Sequence, residues 1–444
     1  MPFVILPTNS ASGGYDITNS ARFVTGDSLT RTVTPSSSTS YTVSFWLKLS
    51  DVTYSSTPYL WSVGSSANGN GIYLFDSDRK IYFFDYPSGF LSLYNGVLRD
   101  PSAWYHVVWS VNSGTGTGYI NGITGNTHSS IPALNDNTGN KISIHDYVGT
   151  GYNNVGCYMS EFNFIDGTAL TPSSFGETDS DTGIWKPKAY TGTYGTNGFY
   201  LQFKNSASLG TDSSGNGNTF TVNNLTSIDQ TTDTPTNNFA TINGVEGITK
   251  TLTEGNLSLT GSSKSPRGTI GVSTGKWYWE CKLITQISST QVVGICNESH
   301  ALTNDIGVDS NGWGYIIQSN ANNGQAYHSG SVTQYATLTT NDILNIAVDM
   351  DNQAIYFGKN GTWQNSGVPT SGSSKTGAIY TNLPTSGFVF PAFVSSSTGV
   401  IQANFGNPPY SANSYTDGAG YGNFSYAVPS GYYALCTKNL ANFG

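Results

Sequence analysis

The residues Gly271-Val272-Ser273-Thr274-Gly275 have the GxSxG spacing in which a serine on a sharp turn acts as an acyl-transfer nucleophile. That chemistry needs a strand-to-helix turn. Here the motif runs into a strand, and no amphipathic helical pattern is visible along the chain. In a sequence with 52 glycines the match is read as chance. Glycoside hydrolysis needs two carboxylates roughly 5–9 Å apart across the scissile bond. Glu177-Thr178-Asp179 opens the ExDxxE strand of jelly-roll glycosidases but reaches Thr182 where the second glutamate belongs. The five histidines (His106, His128, His145, His300, His328) form no HExxH pair. Asp305, Asp309 and Asn311-Gly312 suggest a calcium loop, yet Gly307 takes its first ligand position and Gln318 its twelfth. Asp76 and Asp78 read as turn formers. The reading is therefore non-catalytic, with no metal residue and no cofactor, calcium having no assignable ligands.

What the residues can do is bind. Aromatic faces stack on sugar C–H groups, and amides pair with hydroxyls. The loop Gly149–Asn154 offers Tyr152, Asn153 and Asn154, and the turn Gly361–Gln364 offers Trp363. These four are the candidate ligand-binding residues.

Such residues need a rigid frame, and the composition says which. Only 10% of residues are charged and 37% are hydrophobic, with 28 Tyr and 21 Phe. Many short strands joined by tight polar turns fit this balance, and disorder does not. A chain of 444 residues exceeds one ordinary core. With a net charge of −9 and 18 scattered basic residues, nucleic-acid binding lacks its basic stripe. No apolar run approaches the ~20 residues that span a bilayer, and MPFVILPTNS has no cationic leader. Cys157, Cys281, Cys296 and Cys436 are too spread for a disulfide scaffold or zinc site. Folding in a reducing cytoplasm without a signal peptide is expected.

The predicted fold is all-β, with two tandem jelly-roll-like sandwiches, a short N-terminal arm and a C-terminal tail. Residues 1–20 form the arm, a candidate docking segment, and 21–228 the first sandwich. Residues 229–243 form a linker, 244–409 the second sandwich, and 410–444 a tail packing on a sheet or a neighbouring subunit. Tyr41, Val43, Phe45, Leu47 and Leu49 share one face of a strand, as do Tyr105, Val107, Trp109 and Val111. Asn121-Gly122 and Asn360-Gly361 predict type I′ hairpins. Trp277, Trp279, Cys281 and Leu283 point together from GKWYWECKL, which QISST is expected to turn into a hairpin with VVGIC.

Three resemblances follow from these residues. GKWYWECKL, VVGI, GWGYII, DMDNQAIYFGKNG, FVFPAFV and ANFGNPPY come in the order of a SPRY (B30.2-type) domain, which implies a bent sandwich that binds through its loops. SFWLKL, WYHVVWSVN, YING and MSEFNFIDGTALT resemble the laminin-G/pentraxin-like family of concanavalin-type sandwiches over Ala21 to Gly176. The tandem, with YDITNSARF and GYYALCTKNL, resembles proteins of tailed bacteriophages. That implies a virion-surface tail fibre or adhesin recognising host polysaccharide or another receptor, as a homo-oligomer, a trimer being favoured, among other virion proteins. The alternative it implies is a capsid decoration or capsid-fibre protein. A polysaccharide-degrading enzyme ranks below both.

Overall fold

Alternation decides which side of each strand is buried. In the strand Tyr41–Leu49 the odd-numbered residues Tyr41 to Leu49 enter a core shared with Val107, Trp109 and Val111 of Trp104–Asn112. The computed structural model describes residues 14–33, 38–50, 58–65, 68–74, 78–85, 89–133, 141–151, 155–246, 249–262 and 265–444. They divide into two units between Asn237 and Asn238, each a β-sandwich, so the fold is all-β.

In the first unit, an eight-stranded sheet is centred on Trp104–Asn112, Tyr41–Leu49 and Cys157–Asp166, with Ser20–Phe23 beyond them. Opposite it lies a seven-stranded sheet. Its order is Thr221–Asn223, Ser28–Thr32, Lys141–Ile144, Tyr59–Ser65, Asn68–Leu74, Ile81–Asp85, Gly89–Ser92. Ile120 and Ile123 pair across Asn121-Gly122, whose φ values of 51° and 77° fit the predicted two-residue turn.

The outer face of the eight-stranded sheet mixes polar and aromatic side chains and yet is buried. Lys48 and Trp104 both point outward and meet Asp233, at 2.7 Å from Nζ to Oδ2 and 3.0 Å from Nε1 to Oδ1. Asp233 is fully buried. Residues 229–237, read from the sequence as linker, therefore belong to this sandwich, because an ionised carboxylate leaves water only where donors replace it. Residues 14–19 of the expected arm are also packed on this unit, where Ile17 is buried and its N–H donates to Thr236 Oγ1 at 3.1 Å.

In the second unit, Lys276–Thr285 lies between Ile343–Asp349 and Val400–Asn404, and Ala354–Lys359 pairs beyond. Gln291–Asn297 lies in the other sheet, between Gly312–Ile316 and Val389–Ser395. The expected hairpin through QISST is thus corrected. The two strands cross from one sheet to the other, because both Trp277/Trp279 and Val293/Ile295 must face the same core. Cys281 and Cys296 are accordingly buried free thiols on different sheets.

The tail returns to this unit. Tyr433–Ala434 pairs in parallel with Trp277–Tyr278, and Thr437–Phe443 forms an α-helix that alternation reading missed. Its anchor is Glu280, which is fully buried. Glu280 Oε1 accepts from Tyr278 Oη and the Tyr426 N–H, each at 2.9 Å. Oε2 accepts from Asn404 Nδ2 at 3.0 Å and the Ser425 N–H at 2.9 Å. One stranded buried donor costs roughly 1–3 kcal/mol. Glu280→Ala, which strands four, is expected to destabilise this unit by about 3 kcal/mol or more. Urea denaturation checks the loss, and hydrogen exchange should show residues 424–434 opening first.

Candidate aromatic binding face

The expected binding loop falls only partly within the described residues. Tyr152, Asn153 and Asn154 lie outside them, as does Asp76. Tyr147, just before that loop, is described, and its ring belongs to a cluster the sequence reading did not single out. On the seven-stranded sheet, Trp61, Val63, Ile72, Leu74, Ile81 and Phe83 fill the core. The intervening positions face away from it and carry Tyr73, Tyr82, Phe84 and Phe90, and a register shift between Tyr59 and Trp61 brings Tyr59 to the same side.

These rings form one continuous array. Tyr59 lies 5.5 Å from Tyr73, 6.4 Å from Phe84 and 4.7 Å from Tyr147, centroid to centroid. Phe90 lies 5.3 Å from both Tyr73 and Phe84, and Tyr82 stacks on Tyr73 at 5.7 Å. Tyr73 is fully buried at the base, Tyr82, Phe84 and Tyr147 are half-buried, and Phe90 is 55% exposed. At the rim, Tyr82 Oη donates to Asp78 Oδ2 at 2.6 Å, and that bond pushes the phenol up to about 12.

Two glycines make room for the array. The phenol end of Tyr147 lies against Gly69, whose N–H donates to Tyr147 Oη at 3.1 Å; a Cβ there would sit 2.8 Å from the ring. At Gly71 a Cβ would sit 2.4 Å from the Trp61 carbonyl oxygen. The signal was present in the sequence. In IYLF and IYFF the positions between core residues are aromatic, where a half-solvated strand ordinarily places polar side chains.

Two other groups have the residue types of chemistry but not its geometry. His106 is fully buried between Trp46 and Trp185, at 4.9 and 5.9 Å. Its Nε2 lies 2.9 Å from Ser44 Oγ, and Trp185 Nε1 donates to its Nδ1 at 3.0 Å. With Nδ1 accepting, the proton sits on Nε2, so the imidazole donates to Ser44 and cannot take the serine's proton. Burial also pushes the imidazolium down to about 3. The recess beside it, lined by Ser44, His106, Glu161 and Asn163, is too tight to admit water.

Glu161 sits at a bulge with φ 51°, where the strand's register shifts between Ser160 and Asn163. Its carboxylate accepts from Tyr15 Oη at 2.8 Å and from Tyr200 Oη. Burial holds this carboxyl above the ordinary glutamate range, with both phenols opposing. His106 and Glu161 are thus neighbours that brace the covered face of the eight-stranded sheet.

Residues 23–174 match the concanavalin A-like lectin/glucanases superfamily in its laminin-G form, and residues 276–408 match the SPRY domain. The chain carries a concanavalin A-like domain followed by a SPRY domain. The crystal structure of the SPRY domain of human HERC1 matches 35% of this chain and 96% of its own, at 20% identity and a TM-score of 0.28. The TRIM65 PSpry domain matches 37% of this chain and 91% of its own, at 15% identity and a TM-score of 0.30. No curated protein matches the chain.

The aromatic array therefore belongs to the concanavalin A-like domain. Trp363, the expected contact in the SPRY domain, is half-buried at the end of that domain's first sheet. It packs edge-on to Tyr278 at 6.4 Å and joins the cluster around Phe424 and Tyr356. Its position is one of packing, and it lies in a different unit from Tyr147.

Two outcomes follow. Gly71→Ala is expected to cost about 1–3 kcal/mol, since backbone must move, whereas Gly69→Ala should cost less and show as a changed tyrosine signal in near-ultraviolet circular dichroism. For Glu161, the folded chain holds a proton that the unfolded chain releases from about pH 4 upward. Its contribution to stability therefore falls as pH rises through the raised value, and Glu161→Gln should flatten that slope in urea melts.

Proposed function

We propose that this chain is a recognition protein of a bacteriophage virion surface, of the tail-fibre or adhesin kind, and that its concanavalin A-like domain binds host-surface glycan on the aromatic face of the seven-stranded sheet. The observation that carries the reading is the array of six rings on a sheet whose other face fills the core: Tyr59 and Tyr73 form its buried base, Tyr82, Phe84 and Tyr147 are half-buried, and Phe90 is exposed. Soluble proteins seldom leave such a patch open without using it. Rings set on paired strands are held before any ligand arrives, so binding orders little. Sugar C–H groups stack on such faces, and Asp78 at the rim is placed to accept from hydroxyls. The virion setting is supported by the tandem of sandwiches and by the sparse charge beside abundant Asn, Ser, Thr and Tyr. A homotrimer would present several such faces together, raising avidity without new contacts.

The test is a glycan array and titration of host-envelope polysaccharide with the full chain. Saturable binding is expected, weakened at least tenfold by Phe90→Ala and Tyr82→Ala. Phe90→Ala should change stability by less than about 1 kcal/mol, because its ring is mostly in water. If no host surface binds saturably, and the face is covered by neighbouring subunits in the intact particle, the rings serve assembly and the receptor reading falls.

A further inference from the structure

His145 follows the strand Lys141–Ile144 in the seven-stranded sheet and precedes the segment 146–151 that carries Tyr147. The ring is fully buried. Its Nδ1 lies 2.8 Å from the Asp27 carbonyl oxygen, and its Nε2 lies 2.6 Å from the Val155 carbonyl oxygen. Both neighbours only accept. A neutral imidazole has one N–H, so it can satisfy one of these oxygens and must turn a lone pair toward the other. The imidazolium, with two N–H groups, satisfies both.

The backbone beside it is held in costly conformations. His145 has φ 60° and Val148 has φ 41°, a β-branched residue in the left-handed region. Such a path persists only while its bonds hold it. Among those bonds are His145 N–H to the Leu60 carbonyl oxygen at 3.0 Å, Ser62 Oγ to the Asp146 carbonyl oxygen at 2.7 Å, Val148 N–H to Ser62 Oγ at 2.7 Å, Gly151 N–H to Asp146 Oδ1 at 2.8 Å, and the two ring contacts. Facing the ring are Phe23, at 5.0 Å between centroids, and the backbones of Asp27 and Val155; the charged group acting on it is the carboxylate of Asp146. Burial pushes the imidazolium down, while the two carbonyls and Asp146 act against it.

We propose that His145 is a proton-dependent lock on residues 146–151: as imidazolium it ties Asp27 and Val155 together, and on losing its proton it releases one of them and lets Tyr147 move. The lock rests on the ring's geometry alone. Its effect on glycan affinity rests on the reading above.

The experiment uses the full chain labelled with ¹⁵N-histidine, followed by NMR across the pH range in which it stays folded. His145 is assigned by loss of its signal in His145→Gln or, should that variant not fold, by contact with the Phe23 ring. Two ring N–H groups are expected at the acid end and one at the alkaline end. Amide exchange of 146–151, corrected for intrinsic pH dependence, should rise several-fold with the same midpoint. A ring singly protonated throughout, or exchange that ignores its titration, overturns the lock. Glycan binding measured in parallel separates the two ideas. A titrating lock with no binding at any pH leaves the lock standing and removes the glycan reading, whereas binding without a titrating ring does the reverse.

Discussion

A carboxylate leaves water only where donors replace it, and that requirement organises both sandwiches. Asp233 is fully buried because Lys48 and Trp104 reach it from the outer face of the eight-stranded sheet. Glu280 is fully buried because the backbone of 425–426 reaches it from the tail. In both units a later stretch of chain covers the outer face of a sheet, and an acid marks the contact. Asp417 repeats the arrangement within the tail, accepting from the Ala434 N–H at 2.9 Å and Asn439 Nδ2 at 2.7 Å. Covering a polar face is costly unless every group finds a partner, so these contacts also determine where each covering segment must lie.

The same reasoning makes the seven-stranded sheet stand out. Its outer face is built of rings as well, but at its edge Phe90 remains mostly in water. Apolar residues on a strand's outer positions are ordinarily either covered or replaced by polar ones. Here Gly69 and Gly71 are kept small so that Tyr147 and Tyr59 can lie against the strand, which is a local loss of strand propensity accepted in favour of ring placement.

The fold was legible wherever period two and turn chemistry coincided. Tyr41 to Leu49, Trp277 to Leu283 and the two Asn-Gly turns stand as the alternation predicts. Pairing was less legible. GKWYWECKL and VVGIC look like a hairpin because a five-residue turn joins them, and alternation cannot tell whether two apolar strands share a sheet or face each other across a core. The linker was misplaced for a related reason: its Asn, Thr and Asp read as solvent-facing, and only a three-dimensional partner such as Lys48 shows that Asp233 is inside. The site was half legible. Tyr152, Asn153, Asn154 and Trp363 carry the loop pattern, while the aromatic face is written at alternate strand positions, in Tyr73, Tyr82 and Phe84.

That shift from loop to strand bears on the proposed glycan binding. A binding residue on a loop must be ordered when the ligand arrives, and each immobilised side chain costs about 0.5–1.5 kcal/mol. Rings packed on one another at 4.7–6.4 Å over a paired sheet have already lost that freedom during folding. Weak stacking contacts can then sum without an ordering cost at each one, which suits a long, repetitive, weakly polar ligand. Tyr147 is the exception in the array, since it stands on the strained segment beside His145 and not on a strand. Its position can therefore change without unmaking the strand pairing.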